Sequence, residues 1–169
     1  MSVKTMQDLF VNELRDIYHA EKQLLRALPK MAKSSTHPEL KQVFESHLEE
    51  TRGQVERLEQ VFDQLDLSKR AKPCQAMEGL IEEAKELLAE KPEPNVLDAG
   101  LISAAQHVEH YEMAGYGTCR TWARLLGYEN QAQLLQQTLD EEQATDLLLT
   151  DIATSQINID AEEADDEEE

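Results

Sequence analysis

Apolar residues recur at alternating spacings of four and three along most of this chain, a period that belongs to helices. Phe10, Leu14, Ile17, Glu21, Leu24, Leu28 and Met31 form one such stripe. Leu97, Leu101, Ala104, Val108, Glu112, Gly115, Cys119, Trp122 and Leu126 form a second, and Leu135, Leu139, Glu142, Asp146, Leu149 and Ala153 a third. Between positions 38 and 66 the pattern is looser, but Val43, His47, Glu50, Gln54 and Val61 share one face. No stretch alternates apolar and polar long enough for a strand, so the chain is predicted to be all-α. Each stripe is a buried seam, and each contains an acid. An unpaired carboxylate in an apolar core is costly or takes up a proton. Inward acids on four helices therefore point to a cation held between them.

Five helices are predicted. The first spans about 5–33, with Pro29 expected to kink or break it. The second runs from Pro38, a good first-turn residue, to Leu65. A short third helix covers 73–91 and is stopped by Pro92-Glu93-Pro94. The fourth covers 95–126 and is closed by Gly127, and the last ends near Ile157. The segment around the short helix, 66–95, is long enough to travel the length of a bundle. Two helical hairpins joined by such a crossover make one of the standard four-helix topologies. Residues 1–158 are thus expected to be one bundle domain, and 159–169 an acidic, solvated, disordered tail.

The formal net charge is −19, and the segment DAEEADDEEE at the end supplies eight acids. Such a chain repels nucleic-acid phosphates and anionic membranes and attracts cations. No run of apolar residues is long enough to span a bilayer and the N-terminus lacks a signal segment, so a cytoplasmic location is expected. The two cysteines, Cys74 and Cys119, have no metal-ligand spacing. Cys119 sits on a seam as a small buried hydrophobe, while Cys74 is expected nearer the surface. There is no glycine-rich phosphate loop and no nucleophile elbow.

The acids repeat. Glu21 precedes Glu50 by 29 residues, and Glu112 precedes Glu142 by 30. An inward acid at matching height in each half is what pseudo-twofold symmetry about a central site produces. From their facing, Glu21 and Glu112 would each hold one metal ion and Glu50 and Glu142 would bridge the pair. Gln54 and Asp146 lie one turn beyond the bridging acids, and Glu109 one turn before Glu112. Oxygen-rich sets of this kind suit iron, with manganese as the alternative. His47 lies one turn before Glu50, but a lone histidine beside an apolar seam is ordinarily hydrogen-bonded structure. His107 and His110 are expected at the surface, Glu49 and Glu141 in solvent and Trp122 in the core. Tyr18, Tyr111 and Tyr116 are candidates to hydrogen-bond the ligand carboxylates.

The strings IYHAEKQLLRALPKMA, HLEETRGQVERLEQVF, CQAMEGLIEEA, AAQHVEHYEMAGYGT and LDEEQATDLLLTDIA resemble the YciF/YciE family of bacterial stress-associated proteins, within the ferritin-like di-metal carboxylate superfamily. The resemblance extends from Met6 to about Ile157. It implies a ferritin-like bundle, a homodimer and a part in stress responses. The ferritin-like pattern has Glu-x-x-His on the second and last bundle helices, where this chain has Gly53 and Thr145. That departure leaves two functions open. One is a metal-binding stress protein that consumes dioxygen or peroxide. The other is a bundle without metal that serves as a structural or interaction module.

Overall fold

The computed structural model describes residues 3–166. Its helices are α1 (Met6–Ser34), α2 (Pro38–Gln64), α3 (Gln75–Glu90), α4 (Pro94–Leu125), α5 (Glu129–Ile152) and α6 (Asn158–Asp166), with a π-helical turn, Ala153–Ile157, between the last two. Thr5 and Asp8 cap the start of α1 reciprocally. The Asp8 amide donates to Thr5 Oγ1 at 3.0 Å, and the Thr5 amide to Asp8 Oδ2 at 3.0 Å. The expected break at Pro29 does not occur; α1 continues through it. Proline removes one backbone bond, but Pro29 lies on the exposed face, where water can take that bond's place. Gly127, with φ of 80°, follows the end of α4.

The four long helices form a bundle in which spatial neighbours run antiparallel. The buried Asp98, near the start of α4, accepts from the Thr36 amide at 2.9 Å and the His37 amide at 2.7 Å. That fastens the top of the first hairpin to the start of α4. At the other end Tyr128 Oη donates to Gln7 at 2.9 Å, and Gln131 to Gln64 at 2.8 Å. The crossover therefore spans the whole bundle, as its length predicts. It carries α3 across the outer face of α1 and α4, and this is the ferritin-like arrangement expected.

Cys74 is buried, contrary to expectation, because it is the hinge by which the crossover is held. Its amide donates to His19 Nδ1 at 3.0 Å, and its Sγ lies 3.0 Å from Tyr111 Oη. The end of the chain also differs from the reading. Helix α6 occupies most of the stretch expected to be a disordered tail, and Asn95 Nδ2 donates to the Asp160 carbonyl at 3.2 Å. Residues 167–169 of that tail lie outside the described residues. No helix among the described residues is long and apolar enough to cross a membrane.

Two apolar clusters fill the bundle. One, built on Leu24, Leu28, Leu40, Phe44, Leu101 and Leu149, fills the end near the α1–α2 turn. The other, built on Phe10, Leu14, Leu58, Phe62, Tyr116 and Leu135, fills the opposite end. A polar layer lies between them at mid-height.

Candidate metal centre

Each long helix contributes to this layer from its own seam. Helix α1 supplies Glu21, α2 supplies His47 and Gln54, α4 supplies Glu109 and Glu112, and α5 supplies Glu142. All six are at most 2% exposed. His47, Glu109, Glu112 and Glu142 each offer a ligand atom within 4.8 Å of the others. His47 Nε2 is 3.2 Å from Glu109 Oε1 and 3.8 Å from Glu142 Oε2. Tyr116 Oη donates to Glu21 Oε1.

The layer holds many polar atoms that the protein itself does not satisfy. Glu21 Oε2, Gln54 Oε1, Glu109 Oε2 and both carboxyl oxygens of Glu112 and Glu142 are buried without a hydrogen-bond partner among the described residues, while His47 Nε2 meets Glu109 Oε1. Buried polar atoms are ordinarily paired, so a concentration of orphans in one place marks a space built for something else. The titration behaviour agrees. Burial, then the neighbouring acids, pushes Glu112 well above the ordinary carboxyl range. Burial and Glu109 do the same to Glu142. Burial raises Glu21 to about 7, against the Tyr116 hydrogen bond, which favours the ionised form. Burial alone would lower His47, but the carboxylates of Glu109 and Glu50 outweigh it and raise the imidazole well above its usual value. Both kinds of shift lower the negative charge of the layer.

Of the predicted ligands, the structure brings together Glu21, Glu109, Glu112 and Glu142, with Gln54 beside them. Gln54 Nε2 donates to Glu141 at 3.2 Å, and its buried carbonyl oxygen has no partner among the described residues. Glu50 is not enclosed with them. Its side chain is 44% exposed and reaches the layer only through His47, whose Nδ1 is 3.4 Å from Glu50 Oε2. Asp146 lies apart from the layer, in the α4–α5 contact. There its Oδ1 accepts from Gln106 at 3.1 Å and lies 3.1 Å from His110 Nε2. Glu141, expected in solvent, is half-buried and holds Arg57 through both oxygens, at 2.7 and 3.0 Å. Among the tyrosines only Tyr116 meets a layer carboxylate; Tyr18 donates to Glu59 and Tyr111 to Asp16. Trp122 is partly buried against the lower cluster, and His107 and His110 are exposed.

His47 joins the buried layer, although it stands outside the set of ligands expected from the sequence. Its signal was present: it shares the α2 seam and precedes Glu50 by three residues. The histidine sought three residues after the acid stands three residues before it.

A family model described as a domain of unknown function, DUF892, matches residues 5–162. Protein YciF of Escherichia coli K12 is 51% identical over 163 residues, covering 96% of this chain and 98% of that protein. The chain belongs to this family of YciF-type proteins. The crystal structure described as the E. coli stress protein YciF superposes with a TM-score of 0.89, covering 92% of this chain and 99% of that one. YcfI of Rhodopseudomonas palustris, provisionally described as a structural protein, is 46% identical with a TM-score of 0.86, covering 88% of this chain and 95% of its own. A Xanthomonas campestris protein at 22% identity and a TM-score of 0.76, covering 95% of this chain and 99% of its own, shares the fold.

Proposed function

We propose that this YciF-type protein is a stress-response protein that binds a dinuclear centre of iron, or alternatively manganese, in the polar layer, and consumes dioxygen or peroxide there. The observation that carries the reading is the set of buried, unpartnered carboxyl oxygens on α1, α4 and α5 around one imidazole from α2. The donor set is hard oxygen with one nitrogen, which suits iron or manganese. His47, Glu109, Glu112 and Glu142 would hold one ion; Glu21 and Gln54, sharing Glu112 or Glu142, would complete the place of a second. Such ions supply one-electron exchange with dioxygen or peroxide and Lewis acidity. The chain's own part is to exclude water and to fix ligand orientation. The two apolar clusters close the layer on both sides, and Tyr116 fixes the angle of Glu21. Exposed Leu125 and Leu147 on α4 and α5 suit a homodimer, and a cytoplasmic location fits the reduced, buried cysteines.

A second reading has its own support. His47 already meets Glu50 on one side and Glu109 on the other, as a metal-free, proton-sharing network would have it. One relative is provisionally described as structural. Metal content separates the two. Protein made in iron- and manganese-supplemented medium is expected to hold close to two ions per chain and to elute as a dimer. The Glu112→Gln, Glu142→Gln double variant is expected to fold and hold none. A metal-free parent with a full melting transition assigns the bundle to the structural reading.

A further inference from the structure

A cation bound in this layer has to cross the bundle wall, and the α2–α5 seam is where a route is visible. A cavity of about 190 Å³ opens there, with Ser46, Ala144, Thr145 and Leu148 among its walls and His47 and Glu50 reaching into it. His47 is 2% exposed and Glu50 is 44% exposed, so the cavity spans the step from solvent to the buried layer. Further along the same seam the wall is shut. Arg57 grips Glu141 and donates to Thr138 at 2.6 Å, and Gln54 donates to Glu141. The α1–α4 face is covered by α3.

We propose, building on the metal-centre reading above, that Glu50 is the entry residue of this site rather than one of its permanent ligands. It captures a divalent cation at the mouth of the α2–α5 cavity and passes it to His47. Three observations support this. Glu50 is the acid in contact with both solvent and the layer's imidazole. Thr145 Oγ1, 3.4 Å from Glu50 Oε2, steadies the carboxylate from the opposite wall. One ring joins the two zones, with Nδ1 towards Glu50 and Nε2 towards Glu109 and Glu142. No bond to carbon forms or breaks; the cation exchanges water for carboxylate, then for imidazole and the inner carboxylates, whose protons leave to solvent as it binds.

The test is stopped-flow loading of the metal-free, full-length protein with Co(II), read by the absorption of the bound ion, together with the final stoichiometry. Glu50→Gln is expected to slow loading roughly tenfold or more and to flatten its dependence on salt, since one steering charge at a narrow mouth acts on rate. Its final stoichiometry stays that of the parent. Ala144→Phe, which narrows the mouth without removing charge, slows loading and keeps the salt dependence. Glu142→Gln lowers the stoichiometry. Parent-like loading in both Glu50→Gln and Ala144→Phe overturns the entry route while leaving the metal centre in place. A loss of stoichiometry in Glu50→Gln makes it a permanent ligand and overturns the proposal. A parent that takes up no Co(II) overturns the metal-centre reading and this proposal with it.

Discussion

Glu21 is fully enclosed, and burial moves its carboxyl from 4.5 to about 7. Between those values the folded chain holds a proton that the unfolded chain has lost, so stability falls as pH rises. The contribution is complete below about pH 4.5 and gone once pH passes about 7. The raised carboxyls of Glu112 and Glu142 and the raised imidazole of His47 act with the same sign, while the lowered carboxyl of Glu50 acts in more acid solution. In chelating buffer the melting temperature should therefore decline from pH 5 to pH 8. Glu21→Gln, which keeps an oxygen for Tyr116 but does not titrate, should make that decline shallower. An unchanged slope in the variant contradicts the assignment to Glu21. At this scale the sequence was informative about which acids turn inward and less so about their company. Glu21, Glu112 and Glu142 were legible because each sits squarely in an apolar stripe. Asp146 shares a face with Glu142 by spacing, but Gln106 on α4 draws its carboxylate into the α4–α5 contact, and Thr145 is the residue buried at 7% exposure on the α2 side. His47 was undervalued because nothing local shows that α4 and α5 bring three carboxylates against α2.

Among the five longer helices, α3 is held least by apolar burial. Met77 and Ala84 are its buried residues, and the crossover depends on polar contacts for the rest. Tyr111 Oη donates to Asp16 Oδ2 at 2.6 Å and meets Cys74 Sγ, and Lys72 Nζ reaches Asp16 Oδ1 at 3.1 Å. Tyr111→Phe removes the shared hydroxyl and leaves Asp16 with Lys72 and the Cys74 thiol. The expected cost is about 1–3 kcal/mol. It should appear in hydrogen exchange as faster opening of α3 and of residues 72–75, with α2 and α5 unchanged. Equal acceleration in all of α1 to α5 shows instead that the crossover is part of the bundle's cooperative core. The crossover itself was legible from chain length and the proline pair at 92 and 94. Its attachment was not, since Cys74 reads as a surface residue until α1 and α4 supply His19 and Tyr111. Helix α6 was hidden for a similar reason. A run of acids reads as solvated chain, and its helix depends on docking against α4, where Ile157 is buried and Asn95 holds Asp160.

For the whole molecule, the polar layer divides what would otherwise be one continuous core. Two apolar clusters stand on either side of it, and Glu112 lies between them with both oxygens unpartnered. A layer selected for stability alone would be filled with leucine, because removing an unsatisfied buried acid in favour of an apolar side chain of similar size is commonly stabilising. Glu112→Leu is accordingly expected to stabilise the metal-free protein by about 1–3 kcal/mol at pH 8, where keeping the carboxyl buried costs most. For a chain of this length that is a rise of roughly 2–4 °C in melting temperature per kcal/mol. The same substitution removes a ligand, so added iron or manganese should raise the parent's melting temperature and leave the variant's where it was. The two effects have opposite signs, which makes the comparison decisive. If Glu112→Leu melts below the parent in chelator, the layer is a satisfied internal network and the bundle is built for structure. If it melts above the parent and ignores metal, the chain carries a destabilising layer that only a bound cation completes.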